Sequence, residues 1–294
     1  MRRKGPVAKW AGLLVSGVCL AITAGAWEIP LTVENPTRVG VPPFITGGVP
    51  LLAGQAKEPA DLRLAVKDAA GKLTAIPAQF RVLARWWRGD SSIRWVLADF
   101  ATASVPGEKK VVYLTDAKLD AAAPPAALTV EDGVDAIVIS TGVAKFTVSK
   151  KKFNFLQSAV VDGEELLAGS ADLGLVIEDT LGQKYYAADG TKEVAVLENG
   201  PMRVCVRARG QHVARDGKGY SRGMYGYDVF LNFYAGSSEV GADVVLANNF
   251  KSSIGEPLMK DASLLLKLAG GSAGCRVYGA APLDATLAGG ESVC

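Results

Sequence analysis

The sequence predicts an all-β protein: a small N-terminal β-barrel followed by a larger antiparallel β-sandwich. Three observations lead there. Strand-like alternation of apolar and polar residues runs through the chain after its first 26 residues, Asp-Gly turn signals punctuate it, and helical periodicity is hard to find. The chain has 294 residues, 49% of them hydrophobic and 21% charged, with 33 glycines. That is enough apolar material for two cores, and it is not the composition of a disordered chain.

Residues 1–26 read as a secretory signal peptide. Arg2, Arg3, Lys4 and Lys9 form a basic start. An apolar stretch from Ala11 to Ala24 follows, and Ala24-Gly25-Ala26 is a small-x-small cleavage site. The mature chain is expected to begin near Trp27, in a secreted or periplasmic setting with no membrane attachment left. Cleavage removes four basic residues and no acidic ones, leaving 28 basic against 30 acidic, a net charge of −2. A slightly acidic surface lacks the basic footprint that nucleic acid demands. No later segment is long and apolar enough to be read as a membrane-spanning helix.

Strands follow in order. "DLRLAVKD" (61–68) alternates, with Leu62, Leu64 and Val66 opposite Arg63, Ala65 and Lys67. "KVVYL" (110–114), "AIVIS" (136–140) and "VAKFTVS" (143–149) are short and rich in β-branched and aromatic residues. "PMRVCVRARG" (201–210) sets Met202, Val204 and Val206 against Arg203, Cys205, Arg207 and Arg209. "YDVFLNFYA" (227–235) and "EVGADVVLA" (239–247) continue the pattern. Asp-Gly at 132–133, 162–163, 189–190 and 216–217 suits the positive φ angles of tight hairpins. The Ala- and Pro-rich "KLDAAAPPAAL" (118–128) divides a first domain, 27–117, from a second, 129–294. The abrupt ending at Cys294 suggests a second domain truncated at its C-terminal end.

"RWWRGDSSIRWVLADF" (85–100) carries three of the five tryptophans and an Arg88-Gly89-Asp90 tripeptide. The tripeptide reads as a turn, with Gly89 taking an unusual φ and Asp90 bonding nearby amides. Trp86 and Trp87 are neighbours, so a strand points them to opposite faces, and either is a candidate carbohydrate platform. Trp95 falls in phase with Ile93 and Leu97 and is expected in the core.

"VENPTRVGVPPFITGGVPL" (33–51), "LRLAVKDAAGKLTAIPAQFRVLARWW" (62–87) and "SIRWVLADF" (92–100) resemble the N-terminal β-barrel of the exo-rhamnogalacturonan lyase-like family. Pro77-Ala78-Gln79 matches its "vPaQ" segment. Trp87, Asp90, Ser91 or Ser92, Ile93, Arg94 and Trp95 match its Trp-x-Asp-Gly-Ser turn-strand, with Gly and Asp exchanged and one residue added. "TGVAKFTVSKKKFNFLQSAVVDGEELL" (141–167) and "YDVFLNFYAGSSEVGADVVLAN" (227–248) are similar to its central β-sandwich. The resemblance implies β-elimination at a uronate in rhamnogalacturonan-type pectin. It also implies a missing C-terminal helical toroid as the catalytic partner, a uronate-containing polysaccharide as substrate, and a chain inactive by itself. The alternative is a non-catalytic carbohydrate-binding or cell-surface structural β-protein.

The densest polar cluster, residues 206–228, supplies the candidate site residues. A uronate lyase needs a cation against the sugar carboxylate and a tuned base for the proton beside it. His212, the only histidine, with Arg209, Lys218 and Tyr225, are the candidate catalytic residues. Arg207 and Arg222 join Trp86 and Trp87 as candidate sugar contacts. The plainer reading is a solvated strand face with a structural histidine. One histidine cannot build a multi-histidine metal centre, no cysteine spacing suits zinc, and no cofactor motif is present. Glu164-Glu165 reads as a solvated loop beside a turn. Cys205, Cys275 and Cys294 allow one disulfide, with Cys205–Cys275 one pairing open to the chain.

Overall fold

The computed structural model describes residues 26–34, 44–102, 108–168, 173–217, 223–248 and 258–270, together with the backbone of two further strands, 272–277 and 283–288. Residues 1–25 of the signal-like segment, Lys218, Arg222 and Cys294 lie outside the described residues, and so does the side chain of Cys275. The described chain is β throughout, broken only by two short 3-10 turns at Pro59–Asp61 and Ala187–Gly190.

The first unit contains β1 (Glu28–Glu34), β2 (Phe44–Pro50), β3 (Arg63–Lys67), β4 (Leu73–Ile76), β5 (Ala78–Arg85), β6 (Ile93–Ala101) and β7 (Lys109–Thr115). These pair as two antiparallel sheets, β1-β7-β3-β4 and β2-β6-β5. The expected barrel is thus realised as two sheets facing across one core. Leu62 and Leu64 from the β3 region, Val112 and Leu114 from β7, and Val96 and Phe100 from β6 fill it.

The second unit contains β8 (Thr129–Asp132), β9 (Ala136–Ser140), β10 (Ala144–Ser149), β11 (Ser158–Val161), β12 (Glu164–Glu165), β13 (Gly174–Asp179), β14 (Lys184–Tyr186), β15 (Thr191–Asn199), β16 (Arg203–His212), β17 (Met224–Tyr234), β18 (Val240–Ala247), β19 (Met259–Leu265), β20 (Ser272–Val277) and β21 (Leu283–Ala288). A five-stranded sheet, β12-β11-β10-β9-β8, packs on a four-stranded one, β15-β16-β17-β18. Inward residues of both meet in the core: Ile137, Ile139, Phe146 and Val148 from one side, Val206, Ala208, Leu231 and Phe233 from the other. Burial of each large side chain stabilises the fold by about 1.5–3 kcal/mol.

Turn chemistry follows the sequence in some places and departs from it in others. Asp162 and Gly163 both have positive φ (52° and 83°), as a two-residue primed hairpin requires. Asp189-Gly190 does not form a hairpin. It ends the second 3-10 turn, because Gly190 packs against the Gln211 carbonyl where any Cβ would clash. In the Arg88-Gly89-Asp90 turn the positive φ angles belong to Arg88 (57°) and Ser91 (59°), not to Gly89. The rest of that reading holds: Asp90 accepts the Ser92 amide (3.0 Å), and the Ser92 bonds hold its carboxyl below the usual carboxylate range. Glu164-Glu165 forms a two-residue edge strand rather than a loop, and Glu165 accepts the backbone amides of Ala159 and Leu167.

Residues 118–128 have no regular structure, yet they are held in place. Leu119 offers its carbonyl to Arg63 (2.9 Å), and Pro125 and Ala126 rest on Gly236 and Gly142. The two units also meet directly. Phe44 of β2 stacks on Tyr234 of β17, with centroids 4.4 Å apart. The Gln79 side-chain oxygen accepts the amides of Met202 and Arg203 (3.1 and 3.0 Å). Gly200 is what admits it, since a Cβ there would overlap the Gln79 carboxamide.

Candidate functional site

The polar face of β16 has two halves. At its start Arg203 is buried, although the alternation alone predicts a solvated cation. It donates to Asp99 of β6 (2.7 Å), to Asn232 (2.7 Å) and to Glu198. Arg81 of β5 reaches the other Glu198 oxygen as an ion pair rather than an aligned hydrogen bond. Burial works to lower the Arg203 pKa, but the bond and charge of Asp99, with the charge of Glu198, outweigh it and raise the value. Cys205 beside it is a buried free thiol, so it forms no bridge to Cys275, and burial pushes its pKa up. This half of the strand is a charged seam between the two units.

The other half carries the candidate catalytic residues. The hairpin pairs Arg207 with Phe230, Arg209 with Asp228 and His212 with Met224. Arg207 forks onto Asp228 through two side-chain bonds, and the Asp228 carboxyl is lowered by them. Arg209 is exposed and ion-paired with Glu193. Arg215 bonds to Asp189 (2.6 Å) and lies over the Tyr186 ring at 3.7 Å.

His212 is sealed, with no solvent exposure. Its Nδ1 lies 3.0 Å from the Tyr225 carbonyl. A carbonyl only accepts, so Nδ1 carries the proton and Nε2 presents a lone pair, which has no hydrogen-bond partner among the described residues. The ring meets Tyr227 edge-on at 5.4 Å. Burial lowers the His212 pKa against the opposing effect of the Tyr225 carbonyl, so the imidazole is neutral at pH 7. Burial also pushes the Tyr227 hydroxyl up to about 12. Tyr225 sits at the β17 start with φ 37°, where the hairpin register shifts. His212 and Arg209 therefore do not converge on an open cleft. One is interior and the other faces solvent with a carboxylate partner.

An open concavity lies instead on the first unit. A groove of about 520 Å³ is lined by Ile29, Pro50, Leu51, Leu52, Gln55, Trp86, Arg94 and Trp95. Trp86 is half-buried, and its indole N–H donates to the Leu51 carbonyl (3.1 Å). Trp87 is 85% exposed and does not line the groove, with Arg88 over its ring. The two neighbours differ in exposure, but both follow the end of β5 at Arg85, so the strand alternation expected from the sequence is not what separates them. Trp95 does not join the core: it is 39% exposed and lies over Gly48 on the outer face of the β2-β6-β5 sheet. The reason is a pair of register shifts. Val82 pairs with Val96, Ala84 with Trp95 and Arg85 with Ile93, so Arg94 is an extra residue on β6. Val96, Ala98 and Phe100 keep the core phase, Trp95 alternates out of it, and the bulge returns Ile93 to the core. Arg94 and Trp95 were thus missed as groove residues, because alternation read from Ile93 carries no sign of a bulge.

Comparison with known proteins bears on the second unit. Residues 128–247 match the family model described as the PcRGLX-like protein central beta sandwich domain. The likeness to that central β-sandwich covers 120 of the 294 residues. The sandwich resemblance read from residues 141–167 and 227–248 falls within that match, save for Asn248. The chain is 27% identical over 207 residues to the uncharacterized protein YetA of Bacillus subtilis (strain 168), covering 67% of this chain and 22% of that one. The chain thus spans about a fifth of the length of that relative. Among solved structures, it is similar to an alpha-mannosidase from Enterococcus faecalis V583 at 12% identity and a TM-score of 0.41, over 77% of this chain and 30% of that one.

Proposed function

We propose that this chain is the scaffold portion of an exported rhamnogalacturonan-degrading protein that acts by β-elimination at uronate residues. Its two β-units support a helical catalytic domain supplied by further sequence, and by themselves they are inactive. The observation that carries this reading is the central-sandwich match over residues 128–247. The state of the candidate residues agrees with it. Elimination needs an unshielded cation for the substrate carboxylate and an accessible base. Here Arg207, Arg209 and Arg215 each hold a carboxylate of the chain itself, and His212 is interior. Such a scaffold contributes the rigid surface on which a catalytic domain is aligned.

The test compares this chain with the longer gene product on pectic polymers, following the absorbance of the unsaturated uronate. Activity in the longer product alone supports the reading, and inactivity of both overturns it. The second reading, a non-catalytic carbohydrate-binding protein, is favoured by one observation: the open groove between Trp86 and Trp95.

A further inference from the structure

We infer that the groove beside Trp86, Arg94 and Trp95 is a binding site for an acidic sugar residue, lying on the first unit and apart from the 206–228 cluster. The identity of the sugar as a uronate rests on the proposed function; the site itself rests on geometry. Three features make it a built site rather than a gap in the surface. Its volume, about 520 Å³, falls within the roughly 300–1,000 Å³ of small-ligand sites. Its aromatic walls are fixed in advance: the Trp86 indole N–H is tied to Leu51, and the Leu51 amide donates to the Arg94 carbonyl (2.9 Å). Little ordering remains to be done on binding, which favours affinity.

The third feature is chemical complementarity. Arg94 is exposed, its guanidinium lies over the Trp86 ring at 5.0 Å, and among the described residues it has no carboxylate partner. Lys67, Arg81, Arg203, Arg207, Arg209 and Arg215 all have one. A planar guanidinium held by stacking presents its fork to a carboxylate in bidentate fashion. Trp95, partly exposed beside it, offers a flat π-face to the C–H face of a pyranose. Gln55 uses its side-chain oxygen to accept the Leu52 amide (2.8 Å), which leaves its N–H donors for a sugar hydroxyl. An indole, a fork and an amide around one groove match a ring that carries both C–H faces and a carboxylate.

The experiment is calorimetric titration of the purified chain with tri-galacturonate and, separately, with neutral tri-galactose. The site predicts measurable binding of the acidic trimer, weaker by about tenfold or more for the neutral one. Arg94→Ala and Trp95→Ala each weaken acidic-trimer binding by about tenfold or more, and Arg94→Lys falls between, since it keeps the charge and loses the fork. Trp87→Ala, outside the groove, leaves binding unchanged. Circular dichroism confirms that each variant is folded, and Leu52→Ala, at a residue 74% exposed, is a second groove variant with little effect on folding. No binding by the wild-type chain, equal binding of both trimers, or binding indifferent to Arg94→Ala and Trp95→Ala overturns the proposal. These readouts involve no catalysis, so a failed lyase assay on the longer product leaves them untouched.

Discussion

The outer face of the β2-β6-β5 sheet serves two purposes only four residues apart on β6. At one end Asp99, with Thr46 donating to it (2.6 Å), is covered by the second unit and bound to Arg203. At the other end Trp95 lies open beside Pro50 and Arg94. Both residues occupy the same strand phase, and both lie opposite the core residues Val96, Ala98 and Phe100. Exposure on this face is decided by what the second unit covers. The covered end holds the Phe44–Tyr234 stack beside the Arg203, Asp99 and Glu198 charges, which pair with one another as burial of charge requires. The uncovered end is aromatic, with a cation, Arg94, that has no carboxylate partner among the described residues. The reversal of the usual arrangement, apolar inside and charged outside, marks one end as a latch and the other as a site.

Three perturbations test this contrast. The largest effect is expected from Arg203→Ala. It leaves Asp99 and Glu198 buried without their shared cation and should cost about 3–5 kcal/mol. A urea melt reads the loss, and a change below about 1 kcal/mol would mean that the latch is wetter than its burial indicates.

An intermediate effect comes from acid. Burial holds the native His212 pKa below the 6.5 of the free side chain. As pH falls, the unfolded chain binds this proton first. The stability due to His212 is full above about pH 6.5 and declines by up to about 1.4 kcal/mol per pH unit until the lower native value is reached. Melting temperatures across that window should fall in the wild type, and His212→Gln should remove this part of the slope. An unchanged slope in the variant would assign the acid sensitivity to other groups.

The smallest effect belongs to an exposed side chain outside the groove. Trp87→Ala should change stability by under about 0.5 kcal/mol, because the indole is 85% exposed and is met by the Arg88 guanidinium over its ring. A large loss in the same urea melt would place Trp87 in packing that the described residues do not provide.

Much of the strand pattern was legible because side-chain phase has a period of two and one buried face enforces it. The runs at 136–140 and 143–149 became β9 and β10 almost residue for residue. Phase failed at Trp95, where one extra residue on β6 reversed the inference made from Ile93. It failed in another way at Arg203, whose outward phase was right but whose outside is the other unit. For the site, Trp86 and Trp87 were both named as candidate sugar contacts, and only Trp86 lines the groove. Arg94 and Leu52 were not found, because the groove is assembled from β1, the loop after β2, and β6, and sequence distance hides that assembly.

The sequence by itself determined the all-β class, the position of most strands and the tight turn at Asp162-Gly163, since each depends on local sterics and alternation. Tertiary structure alone decided which polar face became a buried seam, which histidine nitrogen lost its partner and which tryptophan stayed open to solvent. Those outcomes depend on what packs against a face, and packing partners here lie as far as 190 residues apart along the chain, as Phe44 and Tyr234 do.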